Sequence, residues 1–292
     1  MNLPPTEVDH SESDELDILA TPQLVELIVT DQRAAIDAVL AQTPAIAAAV
    51  DAIASRLGRG GQLHYVGAGS SGRIATLDAS EMPPTFGTPE YLVRAHVAGG
   101  AAALTRAVEG AEDDAAAGDA IMLECVESDD AVVGISAGGS APFVVAAIAR
   151  ANVIGAYTVA LTSVADSPLA QAAQLAIVTP TGAEILTGST RLKAGTAQKL
   201  VLNAISTAVM VRLGKVYRNL MVEVVANNAK LQARALRLVQ RLAGVDEAGA
   251  AELLARAKGR VKVAVVMARY DADALQAESL LIAHNDLLRE LL

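Results

Sequence analysis

Five short apolar runs, "QLHYVG", "YLVRAHVAG", "DAVVGIS", "GAYTVALTS" and "QLAIVTP", recur through the middle of this 292-residue chain, separated by stretches with helical spacing. Their near-continuous apolar character marks strands covered on both faces. Strands joined through helices lie parallel, because the chain must cross back over the sheet before adding the next one. The pattern predicts an α/β fold: a doubly wound parallel sheet flanked by helices. Hydrophobic residues are 52% of the chain but aromatics only 2%, with no Trp, so Ala, Val, Leu and Ile must fill the core. The length suits one large domain with a small appendage.

Around the sheet the chain divides into three expected regions. Residues 1–20 are acidic and contain proline, and read as a mobile N-terminal arm. Residues 21–243 form the main domain. They open with two helices, one starting at Thr21 and Pro22 and one at Pro44, the latter closed by Gly58, Gly60 and Gly61. A long helix is expected over about 192–213 and another over about 227–243. Gly244 marks a boundary, and residues 244–292 form a small helical tail. Within it "VKVAVVM" is ambiguous: its periodicity gives a strand, its setting between short helices gives a helix.

Several function classes are excluded. A formal net charge of -10, without Lys/Arg runs or aromatic platforms, argues against nucleic-acid binding. The single cysteine, Cys125, rules out an internal disulfide framework. The N-terminus lacks the basic start and apolar run of a signal peptide. "VLNAISTAVMVRLG" is apolar, but Arg212 within it and the flanking Lys199 and Lys215 favour a buried helix over a membrane span. A cytoplasmic protein is expected. His10, His64, His96 and His284 are scattered without ligand spacing, so neither a metal nor another cofactor is expected. Nor is a Ser-His-Asp triad.

Three loops could carry chemistry. "YVGAGSSGR" is a strand, a glycine-rich turn and a helix start with Gly67-x-Gly69-x-x-Gly72 spacing. A dinucleotide site would want an acid closing the next strand, but Glu90 precedes that strand. Ser70 and Ser71 suit a phosphate monoester better, adding hydroxyl donors to amides at a helix N-terminus; a plain tight turn is the remaining alternative. "GISAGGSAPF" repeats the design with Ser136 and Ser140, and two such loops point to one crevice. "TGSTRLKAGTAQK" opens the long helix with Ser189, Thr190, Arg191 and Lys193, which suit an anion or simple capping. Carboxylates stand nearby in sequence: Glu81 in "LDASEMPPTFG", where Pro83 and Pro84 stop a helix, and Glu112 in "AVEGAEDD". Two carboxylates at one phosphosugar could act as acid and base.

Together these blocks resemble the N-acetylmuramic acid 6-phosphate etherases of the sugar isomerase (SIS) superfamily. The likeness runs from about Thr21 to the C-terminus and also takes in "RLGKVYRNLMVEV". It implies an SIS-like sandwich, a homodimer with its site at the subunit interface, and a three-helix, ubiquitin-associated (UBA)-like tail that makes "VKVAVVM" a helix. The implied reaction cleaves the D-lactyl ether of the phosphosugar in cell-wall amino sugar recycling, leaving N-acetylglucosamine 6-phosphate and lactate. The implied catalytic residues are Glu81, from D-A-S-E-x-P-P-T-F-G, and Glu112, from E-G-A-E-D. We assign Glu81 as general acid, partly shut from water beside Pro83, Pro84 and Phe86, and Glu112 as general base. The expected substrate-binding residues are Gly69, Ser70, Ser71, Gly72, Ser136, Ser140, Glu184, Ser189, Thr190 and Lys193.

The chain departs from the etherase pattern in places. "TEVDH" lacks the Arg and Asn of T-E-x-R-N, and "IVTDQ" stands for I-N-x-E-D. In the second loop Gly138, Ser140 and Ala141 replace the Ser, Arg and Thr of A-S-G-R-T-P. That loop is closer to the glucokinase regulatory protein, a relative that binds phosphosugars without catalysis but lacks the D-A-S-E glutamate. Three readings follow: an etherase, a non-catalytic phosphosugar sensor, or an aldose-ketose phosphate isomerase. Retention of both glutamates favours the first.

Overall fold

The computed structural model describes residues 4–226 and 228–292. All five expected strands form: β1 (Leu63–Gly67), β2 (Val93–Val97), β3 (Ala131–Ile135), β4 (Tyr157–Thr162) and β5 (Leu175–Val178). They build one parallel sheet in the order β2-β1-β3-β4-β5. Every residue of β1 and β3 is buried, which explains why those runs show no alternation.

Three helices precede the sheet: α1 (Thr21–Asp31), α2 (Arg33–Ala41) and α3 (Thr43–Leu57). The first expected helix is thus divided in two. At Gln32 the ladder tightens locally, with the Gln32 N–H reaching back three residues to the Val29 carbonyl, yet the backbone stays helical. After β1 come α4 (Gly69–Ser80) and the short α5 (Met82–Phe86); α6 (Ala115–Cys125), α7 (Pro142–Ile154) and α8 (Pro168–Ala172) fall between the later strands. Then follow α9 (Lys193–Arg212), α10 (Ala229–Ala243), α11 (Glu247–Arg256), α12 (Val261–Tyr270) and α13 (Ala274–Ala283). Among the described residues no single helix is long and apolar enough to cross a membrane.

The chain forms two compact units. One holds residues up to Ser80 with Tyr91–Ser206; the other holds Glu81–Glu90 with Thr207–Leu292. In the first, Val66, Val132 and Ala160 pack with Met122, Phe143, Ile148 and Leu169, so α6, α7 and α8 cover one face of the sheet. Side chains alternate along a strand, and Tyr65 therefore points to the opposite face. There its hydroxyl donates to the buried Asp78 of α4 at 2.9 Å. Asn203 and Ser206 of α9 donate to the other Asp78 oxygen, at 2.6 and 3.1 Å. One carboxylate thus ties a strand and two helices together.

In the second unit "VKVAVVM" is helical, as α12, and every residue from Val261 to Met267 is buried. The apparent strand periodicity was that of a helix enclosed on all sides. Gly244 ends α10 in the left-handed conformation, φ 69°. Even so, Ala235, Leu238 and Val239 of α10 share a core with Val263 and Val266 of α12 and Leu281 of α13.

His64 near the start of β1, His96 of β2 and Asp130 just before β3 form a buried polar cluster. His64 and His96 share a hydrogen at 2.9 Å, and His64 Nε2 lies 3.3 Å from Asp130 Oδ2. Burial, then the neighbouring His64 and Arg94, pull the His96 imidazole down to about 4. The folded chain keeps this ring neutral where the unfolded chain binds a proton. Stability from it is intact above pH 6.5 and falls as pH drops toward 4. Urea titrations at pH 7 and pH 4.5 should differ by about 2–3 kcal/mol more in the wild type than in His96→Gln. Identical pH profiles for the two proteins would refute this account.

Candidate functional site

Ligands of open α/β sheets bind outside the carboxyl ends of the strands, where the strand order reverses. Here β2 adds on one side of β1, while β3, β4 and β5 run out on the other, so the reversal falls between β1 and β3. The loops that follow those two strands line a cavity of about 360 Å³.

The first loop is shaped by its glycines. Gly69 has φ +52°, in the left-handed region that favours glycine. A Cβ on Gly72 would meet Val97 Cγ1 at 2.6 Å and the Gly67 carbonyl oxygen at 2.9 Å. The missing side chains let α4 start directly against β1 and β2. Its first amides, which have no acceptor within the helix, begin at the cavity with Gly69, Ser70 and Ser71.

In the second loop Ser136 Oγ accepts from the Gly139 amide at 3.1 Å. A Cβ on Gly139, φ +69°, would strike Ser167 Oγ, so the loop folds tightly over that residue. Ser136, Gly138 and Ser140 face the cavity, and α7 starts just beyond them. Gly134-Ile-Ser136-Ala-Gly138 has the spacing of a nucleophile elbow. Among the described residues no histidine lines the cavity, however, and Ser136 is engaged in holding its own loop.

Of the residues expected to bind substrate, the cavity brings together Gly69, Ser70, Ser71, Ser136, Ser140 and Thr190, with the catalytic candidate Glu112. Glu112 is exposed, on a single 3-10 turn (Ala111–Asp113) that Gly110 opens at φ 72°. Gly72, Glu184, Ser189 and Lys193 stand outside the lining. Gly72 is the packing glycine beneath the loop. Glu184 is fully buried and accepts from the Lys193 and Ala194 amides at 3.0 and 2.9 Å, capping α9. The Lys193 ammonium is buried, donating to Asp31 Oδ1 at 2.8 Å and to the Ala183 carbonyl. Ser189 sits in the turn before α9, its amide bonded to the Leu186 carbonyl.

Glu81 opens the second unit and is likewise not among the lining residues. It is exposed rather than partly shut from water. The two prolines do not simply stop a helix. Pro83 and Pro84 occupy the first turn of α5, where a missing N–H costs nothing, and Glu81 precedes it with no capping hydrogen bond to occupy its carboxylate.

Thr6 and Glu7 from the arm, not singled out in sequence, also line the cavity, as does Asp113 of the acidic segment beside Glu112. The T-E pair of "TEVDH", the part of T-E-x-R-N that this chain retains, was the available signal for the first two. Among the described residues the lining contains no Lys or Arg. An anion here would be held by hydroxyls and helix-start amides, with carboxylates left to face the rest of the molecule.

Comparison with known proteins agrees with this architecture. A family described as "Glucokinase regulatory protein N-terminal SIS domain" matches residues 45–152, and "SIS domain" matches residues 106–208. A Salmonella agona protein named N-acetylmuramic acid 6-phosphate etherase is 46% identical over 285 residues, covering 97% of this chain and 96% of that protein. One of the same name from Symbiobacterium thermophilum is 50% identical over 261 residues, covering 89% and 87%. Among solved structures, a phosphoheptose isomerase from Francisella tularensis superimposes with a TM-score of 0.52 at 20% identity, over 67% of this chain and 98% of that one. An E. coli CFT073 protein in complex with A5P gives 0.51 at 23%, over 68% and 96%. At these identities the two structures speak for the fold.

Proposed function

The chain belongs to the N-acetylmuramic acid 6-phosphate etherase family, and on that premise we propose that it cleaves the D-lactyl ether of N-acetylmuramic acid 6-phosphate, as a carbon–oxygen lyase of amino sugar recycling. The observation that carries the reading is the joining of Ser70, Ser71, Ser136, Ser140 and Thr190 with Glu112 around one cavity at the sheet's switch point. Hydroxyls and α4 amides take the phosphate. With the sugar open as the aldehyde, its C2 proton is acidic. Glu112 takes that proton, the C–H electrons form the C2–C3 double bond, and the lactyl oxygen leaves C3 with a proton from Glu81. Water then adds across the double bond, hydroxyl at C3 and proton at C2, giving N-acetylglucosamine 6-phosphate. We read the protein as a cytoplasmic homodimer whose site is completed at the subunit interface, with a UBA-like tail at residues 244–292.

Incubation with N-acetylmuramic acid 6-phosphate should release D-lactate. The same phosphosugar should raise the melting temperature, by binding the native state. The match to the glucokinase regulatory protein domain favours a second reading, a phosphosugar sensor. Binding without lactate release would select it, and absence of both would end the phosphosugar assignment.

A further inference from the structure

The N-terminal arm reaches the cavity and is fastened there at several points. Pro5–Glu7 form one 3-10 turn, closed by the Glu7 amide on the Pro4 carbonyl at 2.8 Å. Next along the arm, Asp9 Oδ1 accepts from the Thr187 hydroxyl at 3.1 Å. His10 Nε2 lies 3.2 Å from Asp31 Oδ1, the oxygen that also receives the Lys193 ammonium. Thr6 is only 2% exposed. These contacts set Thr6 and Glu7 into the cavity lining, in company with Glu112.

The loop before α9 makes room for Glu7. Gly188 has φ +75°, and a Cβ there would stand 3.1 Å from Glu7 Oε2. The glycine of "TGST" therefore leaves space for a carboxylate delivered from the arm. Among the described residues no donor bonds the Glu7 carboxylate, and its polar side-chain neighbours in the lining are hydroxyls and carboxylates. A phosphate would be repelled by it, as would a lactyl carboxylate. A sugar hydroxyl or an acetamido N–H would donate to it.

We infer that Glu7 is a substrate contact, accepting a hydrogen bond from a hydroxyl or amide N–H of the sugar and so helping this site prefer a sugar phosphate to free phosphate. The inference rests on the phosphosugar reading of the cavity. Glu7→Ala should raise KM for N-acetylmuramic acid 6-phosphate about tenfold, the worth of one charge-assisted hydrogen bond, with kcat within about twofold. Glu7→Gln, which keeps an acceptor, should recover part of the loss. Glu12→Ala makes the same charge change on the exposed part of the arm and should leave KM unaltered. Inorganic phosphate, followed by thermal shift, should bind Glu7→Ala no more weakly than wild type, because only a repelling charge has been removed. A Glu7→Ala protein with wild-type KM would overturn the inference while leaving the phosphosugar reading standing. If the wild type binds no phosphosugar, both fall together.

Discussion

Glu112→Gln is expected to lower lactate release by about 10²–10⁴, the usual worth of a positioned proton-transfer group, with phosphosugar binding retained. The substitution keeps shape and removes only the base. Nothing in the local fold depends on that charge. Gly110 sets the backbone of the turn, and the following helix, α6, is capped by Asp114, whose carboxylate accepts from the Ala117 amide at 2.9 Å. Glu81→Gln should cost a similar factor, because Glu81 too is exposed and makes no capping hydrogen bond that amidation would break. Steady-state lactate assays beside thermal shifts with the phosphosugar separate chemistry from binding. Either variant with near wild-type kcat would remove its residue from the assignment. A variant that loses phosphosugar binding as well would assign that residue to recognition instead.

The second large effect is on stability. In the helical unit, the Lys262 ammonium is 2% exposed and donates to the Asp286 backbone carbonyl at 2.7 Å, with Glu223 Oε1 at 2.8 Å. Asp286 Oδ2 is a further 3.5 Å away, and Lys215 stands 3.7 Å from the same Glu223 oxygen. Removing one partner of a buried pair leaves the other charge desolvated, at about 3–5 kcal/mol. Glu223→Ala should therefore destabilise by that amount in a urea titration followed by circular dichroism. Lys262→Met should cost less. Its aliphatic stem stays packed, and Glu223, 17% exposed, keeps Lys215. Should Lys262→Met prove the more damaging of the two, the buried ammonium is not the group at risk.

Much of this architecture was legible in the order of residues. Each of the five apolar runs became a strand of one parallel sheet, since their continuous burial on two faces is what such runs report. The glycines at 67, 69 and 72 were legible as a tight strand-to-helix turn for an equally local reason. Close packing and a left-handed backbone exclude side chains whatever the rest of the chain does. Helix ends were less secure. The reading of one helix from Thr21 missed the tightening at Gln32, which leaves the backbone helical and so has no compositional mark. "VKVAVVM" looked like a strand because an enclosed helix loses its polar face, and only its neighbours in the core betray it.

What the residues by themselves determined is a phosphate-suited loop at the end of a parallel strand, its repeat two strands later in the chain, and a glutamate in an acidic segment before a helix; that Glu112 sits on a separate turn, Ala111–Asp113, came from the structure. What only the tertiary structure decided is which charges meet. Lys193 in the first turn of a helix reads the same whether it faces an anionic ligand or a protein carboxylate. Folding brought Asp31 to it and put the Glu184 carboxylate over the α9 amides, so both became structural. Glu7, in an acidic arm that read as mobile, came instead to line the cavity. Local sequence specifies backbone shape and burial, whereas a charge acquires its role from partners that arrive from distant parts of the chain.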